Sequence, residues 1–407
     1  MYTIRISRSL WAFGLLASAG CSEGGQADAA REDAMWQEAF PTFMKHTIAE
    51  LDGGSYAVAF DVDGDGRQDV VAFPGGRAEL MWFKNPTWEK FNITTGTERL
   101  INMAPYDVDL DGDVDLAIAS EFALGDSNNG GLIHWVESPD DPTTSQEWAL
   151  HFIDAVPASH RVRWGDIDGD GRKELLNLPI IGIGVTGPEY VGASQFKAYQ
   201  IPDDPTGAWE QQVLDDSRLE VAHGISVVDW DGDRAEDILT ASNDGVFLFQ
   251  PALGSQPRHI GAGHDAPRPN RGSSEVSLGT LGGDPFIATI EPWHGTDAVV
   301  YTAGDSEGGL WLREVIGTEF EGGHALIAAD LNGDGFDEII AGGRAGDWAL
   351  MIYRYLPSSD SWEKIPLDIG GVAVSGLYIS DINGNGALDI VAIGGATDNV
   401  VWYENSL

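Results

Sequence analysis

DVDGDGRQD, from Asp61 to Asp69, places carboxylates at alternate positions of a turn and returns to a carboxylate at the ninth. Oxygens at positions 1, 3, 5 and 9, with the backbone carbonyl of position 7, supply the roughly six hard ligands that calcium takes, and the glycines allow the sharp reversal. The pattern recurs from Asp107, Asp166, Asp229, Asp330 and Asp381, with starts 46 to 63 residues apart except for one gap of 101. Such a period identifies a repeat architecture.

The predicted calcium ligands are Asp61, Asp63, Asp65 and Asp69, then Asp107, Asp109, Asp111 and Asp115, then Asp166, Asp168, Asp170 and Glu174. The later loops supply Asp229, Asp231, Asp233 and Asp237, then Asp330, Asn332, Asp334 and Glu338, then Asp381, Asn383, Asn385 and Asp389. These ligand positions hold 21 of the 65 acidic residues, so much of the net charge of −42 is metal-site inventory, and six calcium ions bring it to −30. With 23 basic residues against 65 acids, nucleic acid and anionic membrane surfaces are excluded as partners.

Outward from the first loop, the repeat reads as four strands: Tyr56–Phe60, Val70–Phe73, Met81–Asn85 and Trp88–Ile93. Four short antiparallel strands make one propeller blade. A seventh, degenerate repeat at Glu275–Tyr301 fills the long gap, with LGTLGGDPFIATI in place of the acidic loop. The chain finishes on a third strand, VVWYEN at Val400–Asn405, and the missing fourth is found at the start, FMKHTIAE at Phe43–Glu50. The expectation is an all-β, seven-bladed propeller over residues 40–407, closed by the N-terminal strand so that no sheet edge stays open. An integrin-like or solenoid stacking of the repeats is the structural alternative, which the complementary ends disfavour. Trp88, Trp148, Trp209 and Trp362 begin fourth strands and are read as interblade packing, and His46, His151 and His259 as packing or surface residues.

Ahead of the repeats, Arg5 and Arg8 precede an apolar run, Leu10–Ala19, which is too short to span a membrane and reads as an export signal over residues 1–21. Cys21, the only cysteine, follows Ala19 and Gly20 as in a lipobox, although Ser18 stands where leucine is usual; a lone cysteine excludes an internal disulfide framework. Residues 22–39 read as a tether. The expected location is the bacterial cell envelope, periplasm or outer membrane, with membrane contact only through a lipid anchor at Cys21, or secretion.

The repeats also align the inner strands. Six residues before the first loop Asp stand Ser55, Ile101, His160, His223, Glu275, His324 and Ser375, the Glu275 position being set by flanking sequence. Equivalent inner-strand positions form a ring round the central channel, at the end away from the acidic loops. Glu121, Asn243, Glu291 and Arg344, six residues after the last loop ligand, are expected at the same mouth, joined by His294 in EPWHG. An isolated histidine near a strand start commonly does no more than bond the backbone. Four ionisable groups on one mouth are costlier to explain so, because desolvated groups need partners or a metal. Imidazoles beside one carboxylate suit zinc or a similar transition metal with an open position.

The loops resemble VCBS and FG-GAP repeats, a resemblance that implies the fold and little else. HRVRWGDIDGDGRKELLNLPIIG at His160–Gly182, VDWDGDRAEDILTAS at Val228–Ser242, IATIEPWHG at Ile287–Gly295 and GGHALIAADLNGDGFDEIIAG at Gly322–Gly342 resemble the propeller domain of aldos-2-ulose dehydratase. That resemblance implies elimination of water from 1,5-anhydrofructose or a related ketosugar and a zinc ion in the propeller cleft. It carries no expectation of the isomerisation associated with that family's cupin domains.

Resemblance and register together assign His223, Glu275 and His324 as metal ligands with His294 as a fourth, His160 as the base, and Arg161 beside it for substrate orientation. Which histidine is base and which is ligand stays open. Glu121, Asn243, Glu291 and Arg344 are expected to bind sugar hydroxyls. The functional expectation is thus an exported carbon–oxygen lyase of the sugar dehydratase type acting on a ketosugar, 3-keto sugar or anhydro sugar. A non-catalytic propeller that binds a polysaccharide or protein partner is the first rival, and it leaves the histidine register unexplained. A polysaccharide lyase acting on uronates is the second; it needs a basic cleft, and the acidic composition favours a neutral sugar.

Overall fold

Short apolar runs separated by glycine- and aspartate-rich turns fold as antiparallel hairpins, because each turn reverses the chain before a helix can be nucleated. The computed structural model describes residues 40–145, 147–306 and 308–407. The leader and tether read in the sequence lie outside these residues. Seven four-stranded sheets result, each antiparallel throughout. Six blades run over residues 54–94, 102–155, 159–215, 224–261, 276–317 and 321–369. The seventh combines Val374–Ser380, Asp389–Gly394 and Asn399–Asn405 with the N-terminal strand Phe43–Glu50, whose Phe43 pairs with Asn405 and Glu50 with Asn399. Among the described residues no helix is long and apolar enough to cross a membrane.

The core lies between blades. Trp148, at the start of blade two's fourth strand, is buried with Trp82 of blade one, and Trp209 of blade three with Trp135 of blade two. Trp362 meets Phe286 of blade five edge-on at 5.5 Å. His46, His151 and His259 stack on Trp402, Trp135 and Phe247 at 4.5, 4.4 and 4.6 Å. They pack, as the sequence reading holds.

The acidic loops are built mostly from their own backbone. Asp61 accepts from the N–H groups of Asp65 and Gly66, and Gly64 and Gly66 take φ of 70° and 87°, a region closed to most side chains. In all six loops the position-9 carboxylate accepts from the N–H of position 2, at 2.9 to 3.3 Å. Burial raises these carboxyls, to about 6 for Asp69, about 7 for Asp115, Glu174 and Asp237, and about 8 for Glu338. A cation among the loop oxygens opposes that rise.

Neighbouring loops are also joined. Glu236, at position 8 in blade four, accepts from the N–H of Asp166 in blade three at 2.8 Å. Asn85 and Asn405, closing third strands, donate to Ile382 and Leu331, the position-2 carbonyls of the preceding blades. Blade five has no acidic loop, and its first turn rests on blade six's: Gly282 donates to the Gly335 carbonyl at 3.0 Å and Thr280 to the Asp337 carboxylate at 2.7 Å.

Candidate active site

Blade three's inner strand, Ser159–Gly165, carries His160 and Arg161 at its start, and His223 and Glu275 immediately precede the inner strands of blades four and five. His324 lies within blade six's inner strand, Glu321–Ala329, and His294 follows blade five's second strand at φ 49°. Because inner strands converge on the propeller axis, these residues meet although up to 164 positions separate them. Ring centroids lie 4.7 Å apart for His160 and His223, 4.7 Å for His223 and His294, and 5.2 Å for His294 and His324.

The hydrogen bonds assign the protons. Arg344 Nη2 donates to His294 Nδ1 at 3.1 Å, so a neutral His294 carries its hydrogen on Nε2, 3.0 Å from His223 Nε2. His223 accepts there and carries its own hydrogen on Nδ1, 2.8 Å from Glu275 Oε1. Arg161 Nη2 reaches the same oxygen at 2.8 Å. His324 Nδ1 donates to the Ser375 carbonyl at 2.8 Å, which leaves its Nε2 free. Burial, reinforced by the nearby Arg161 and Arg344 guanidiniums, holds His223, His294 and His324 well below the ordinary histidine range. His160 is held down likewise by burial and then by Arg161.

Neutral imidazole is the form that binds a metal. One ligand atom from each of His223, His294 and His324 lies within 4.8 Å of the others. His223 is backed by a carboxylate and His324 by a backbone carbonyl, the outer partners that fix a metal-binding tautomer. This donor set fits zinc or a similar ion once His294 moves its hydrogen to Nδ1 and gives up the Arg344 contact, which frees its Nε2 and that of His223 together. Glu275 stands apart from these three, with its Oε1 behind His223 and on Arg161, a place that suits orienting the His223 ring. His160 stands outside the triad. Its Nδ1 is buried without a hydrogen-bond partner, and its Nε2 is 3.3 Å from Arg161 Nη1.

The rim residues divide. Glu291 is a correction: it is fully buried and points into blade five, where Ser273, Thr289, Tyr301 and Arg313 all donate to its carboxylate, so it meets no substrate. Asn243 is fully buried too, with neither side-chain amide atom paired and its backbone carbonyl held by Arg271. Glu121 is ion-paired with Arg99, and the next residue, Phe122, lies 5.4 Å from the His160 ring. Arg344 reaches the cluster. Phe122 and Trp293, 4.7 Å from His294, were not singled out by the register, although each adjoins a residue that was. Below the cluster, a channel cavity of about 580 Å³ is lined by Glu275, His324, Arg163, Tyr56 and Tyr378 among others.

At the opposite end of the blades, three carboxylates converge within 4.8 Å in each of the first four loops: Asp61, Asp63 and Asp69; Asp107, Asp109 and Asp115; Asp166, Asp168 and Glu174; Asp229, Asp231 and Asp233. In blade six the Asn332 amide nitrogen donates to Asp334 and Glu338. In blade one, Lys84 contacts Asp63 and lies 3.1 Å from Asp65, a built-in cation that the loop pattern does not reveal.

Residues 130–304 match the aldos-2-ulose dehydratase β-propeller domain. Residues 61–118 and 330–392 match the FG-GAP-like repeat. Aldos-2-ulose dehydratase of Phanerodontia chrysosporium is 27% identical over 234 residues, which cover 52% of this chain and 25% of that protein. The chain thus spans about a quarter of its curated relative's length. His160, His223, Glu275 and His294 lie inside the dehydratase-like stretch, while His324 and Arg344 lie beyond it.

Proposed function

We propose that the histidine cluster is the active site of a lyase that eliminates water or a glycosidic oxygen β to the carbonyl of a ketosugar. The observation that carries this reading is the division of labour among the imidazoles: three converge as a ligand set, and His160 stands beside them with its Nε2 facing Arg161. The sugar dehydratase that this chain resembles supports the substrate class.

Elimination requires removal of the proton α to the carbonyl, stabilisation of the electron pair left behind, and departure of the β oxygen. His160, whose neutral ring carries its hydrogen on Nδ1 because Arg161 Nη1 donates to Nε2, takes the proton on Nε2 as the substrate draws the guanidinium away. The C–H electron pair becomes the new C=C bond, and the β oxygen leaves with the C–O pair. Protonation of that oxygen by the imidazolium of His160 regenerates the base, so the net change is loss of water or an alcohol. A zinc-like ion held by His223, His294 and His324 would supply Lewis acidity at the carbonyl oxygen. Arg161 holds Glu275 in place behind His223, and Phe122 closes one side of His160. The six acidic loops are assigned to structural calcium, on the strength of their ligand pattern and the carboxylates gathered in four of them.

Incubating the purified chain with 1,5-anhydrofructose and with 3-ketoglycosides, and following enone absorbance, tests the reading. Turnover that is lost on removal of transition metal and in His160→Ala supports it. Absence of an enone from both substrates, with the transition metal bound, counts against it.

A further inference from the structure

Most arginines around the histidine mouth are matched to carboxylates. Arg99 pairs with Glu121, Arg161 with Glu275, Arg268 with Glu220 and Arg313 with Glu291, while Arg271 is bonded to the Asn243 carbonyl and lies near the half-buried Asp244. Arg344 differs. Among the described residues no carboxylate oxygen lies within 4.0 Å of it, and its hydrogen bond goes to a neutral imidazole, His294. Its side chain is exposed at the end of blade six's second strand, Glu338–Ala345, which leaves the rest of its donor fork open to a ligand.

The charge of the site follows. With the imidazoles neutral, Glu275 balances Arg161, and Arg344 leaves the cluster at plus one in a chain whose net charge is −42. A divalent ion makes the cluster more positive still. A planar guanidinium with free parallel N–H groups matches a carboxylate in two hydrogen bonds, and it matches a sugar hydroxyl less well.

We infer that the ligand of the histidine cluster is an acidic sugar, whose carboxylate Arg344 holds while the ring lies against His294 and Trp293. The inference rests on the reading of the cluster as a sugar site and reverses the preference for a neutral sugar drawn from overall composition. Overall charge is dominated by the distant loops, so it says little about this mouth.

Calorimetry with a matched pair, methyl β-D-glucoside and methyl β-D-glucuronide, tests it on the full chain. The wild type is expected to bind the glucuronide about tenfold more tightly, the scale of a charge-assisted hydrogen-bonded pair. Arg344→Gln is expected to bring that ratio close to one and Arg344→Lys to leave an intermediate value, with melting temperatures unchanged because Arg344 supports no ion pair within the fold. Equal affinities in the wild type, or a ratio unmoved in Arg344→Gln, overturn the inference while leaving the sugar site standing. Binding of neither glycoside overturns the inference, and the enone assay then decides the sugar site separately.

Discussion

The two ends of the blades solve different problems with the same strands. At the loop end, each site is made within a single hairpin, by contacts between residues two to seven positions apart, such as Gly66 with Asp61 and Val62 with Asp69. One stretch of sequence is therefore sufficient, and it was repeated. At the histidine end, His160, His223, His294 and His324 come from four blades, and the site exists only once the ring has closed. Local chemistry multiplies with the repeat, whereas shared chemistry occurs once, wherever the blades disagree. Blade five illustrates the exchange: it has lost the acidic loop and contributes Glu275 and His294.

The sharpest way to break this contrast is to remove each metal separately. Depleting calcium should lower the melting temperature more than any single substitution, since each occupied loop contributes about 2.7 kcal/mol at a hundredfold excess of cation over its dissociation constant. Calcium alone, and not zinc, should restore it. His223→Ala should do the opposite, abolishing transition metal by elemental analysis while leaving calcium content intact.

Glu291→Ala probes the boundary between scaffold and site. It should cost about 1–3 kcal/mol in denaturant unfolding, because the Ser273, Thr289 and Tyr301 hydroxyls lose their buried acceptor, and should leave transition-metal affinity unchanged. A loss of metal affinity there would return Glu291 to the site. The smallest effect is expected for Glu275→Gln: a drop in metal affinity of about 10- to 100-fold, as for other carboxylates that orient a metal-binding histidine. Complete loss of the metal would make Glu275 a direct ligand.

Most of the fold was legible because the repeat marks itself. The last repeat stops at a third strand, which points to Phe43–Glu50 as its fourth, and Phe43 does pair with Asn405. The histidine register was legible for the same reason, since equal offsets in equal blades reach equal heights on the axis. Side-chain direction was not. Glu291 and Arg344 share an offset, yet one turns outward to Tyr301 and Arg313 and the other toward His294. Glu275 belongs to the ring, but a carboxylate's place in front of or behind an imidazole depends on neighbours such as Arg161, brought from 114 positions away.

The turn of blade five that leans on blade six makes the two faces mechanically continuous. Thr280 and Leu281 end the inner strand Val276–Leu281, and Glu275 directly precedes its first residue. That strand is a strut, footed on the Gly335–Asp337 segment of the neighbouring loop and carrying at its far end the carboxylate that positions His223. Loosening the foot by emptying blade six's loop should therefore be felt at the histidines as a broadened or shifted metal affinity, transmitted along one six-residue strand rather than through the core.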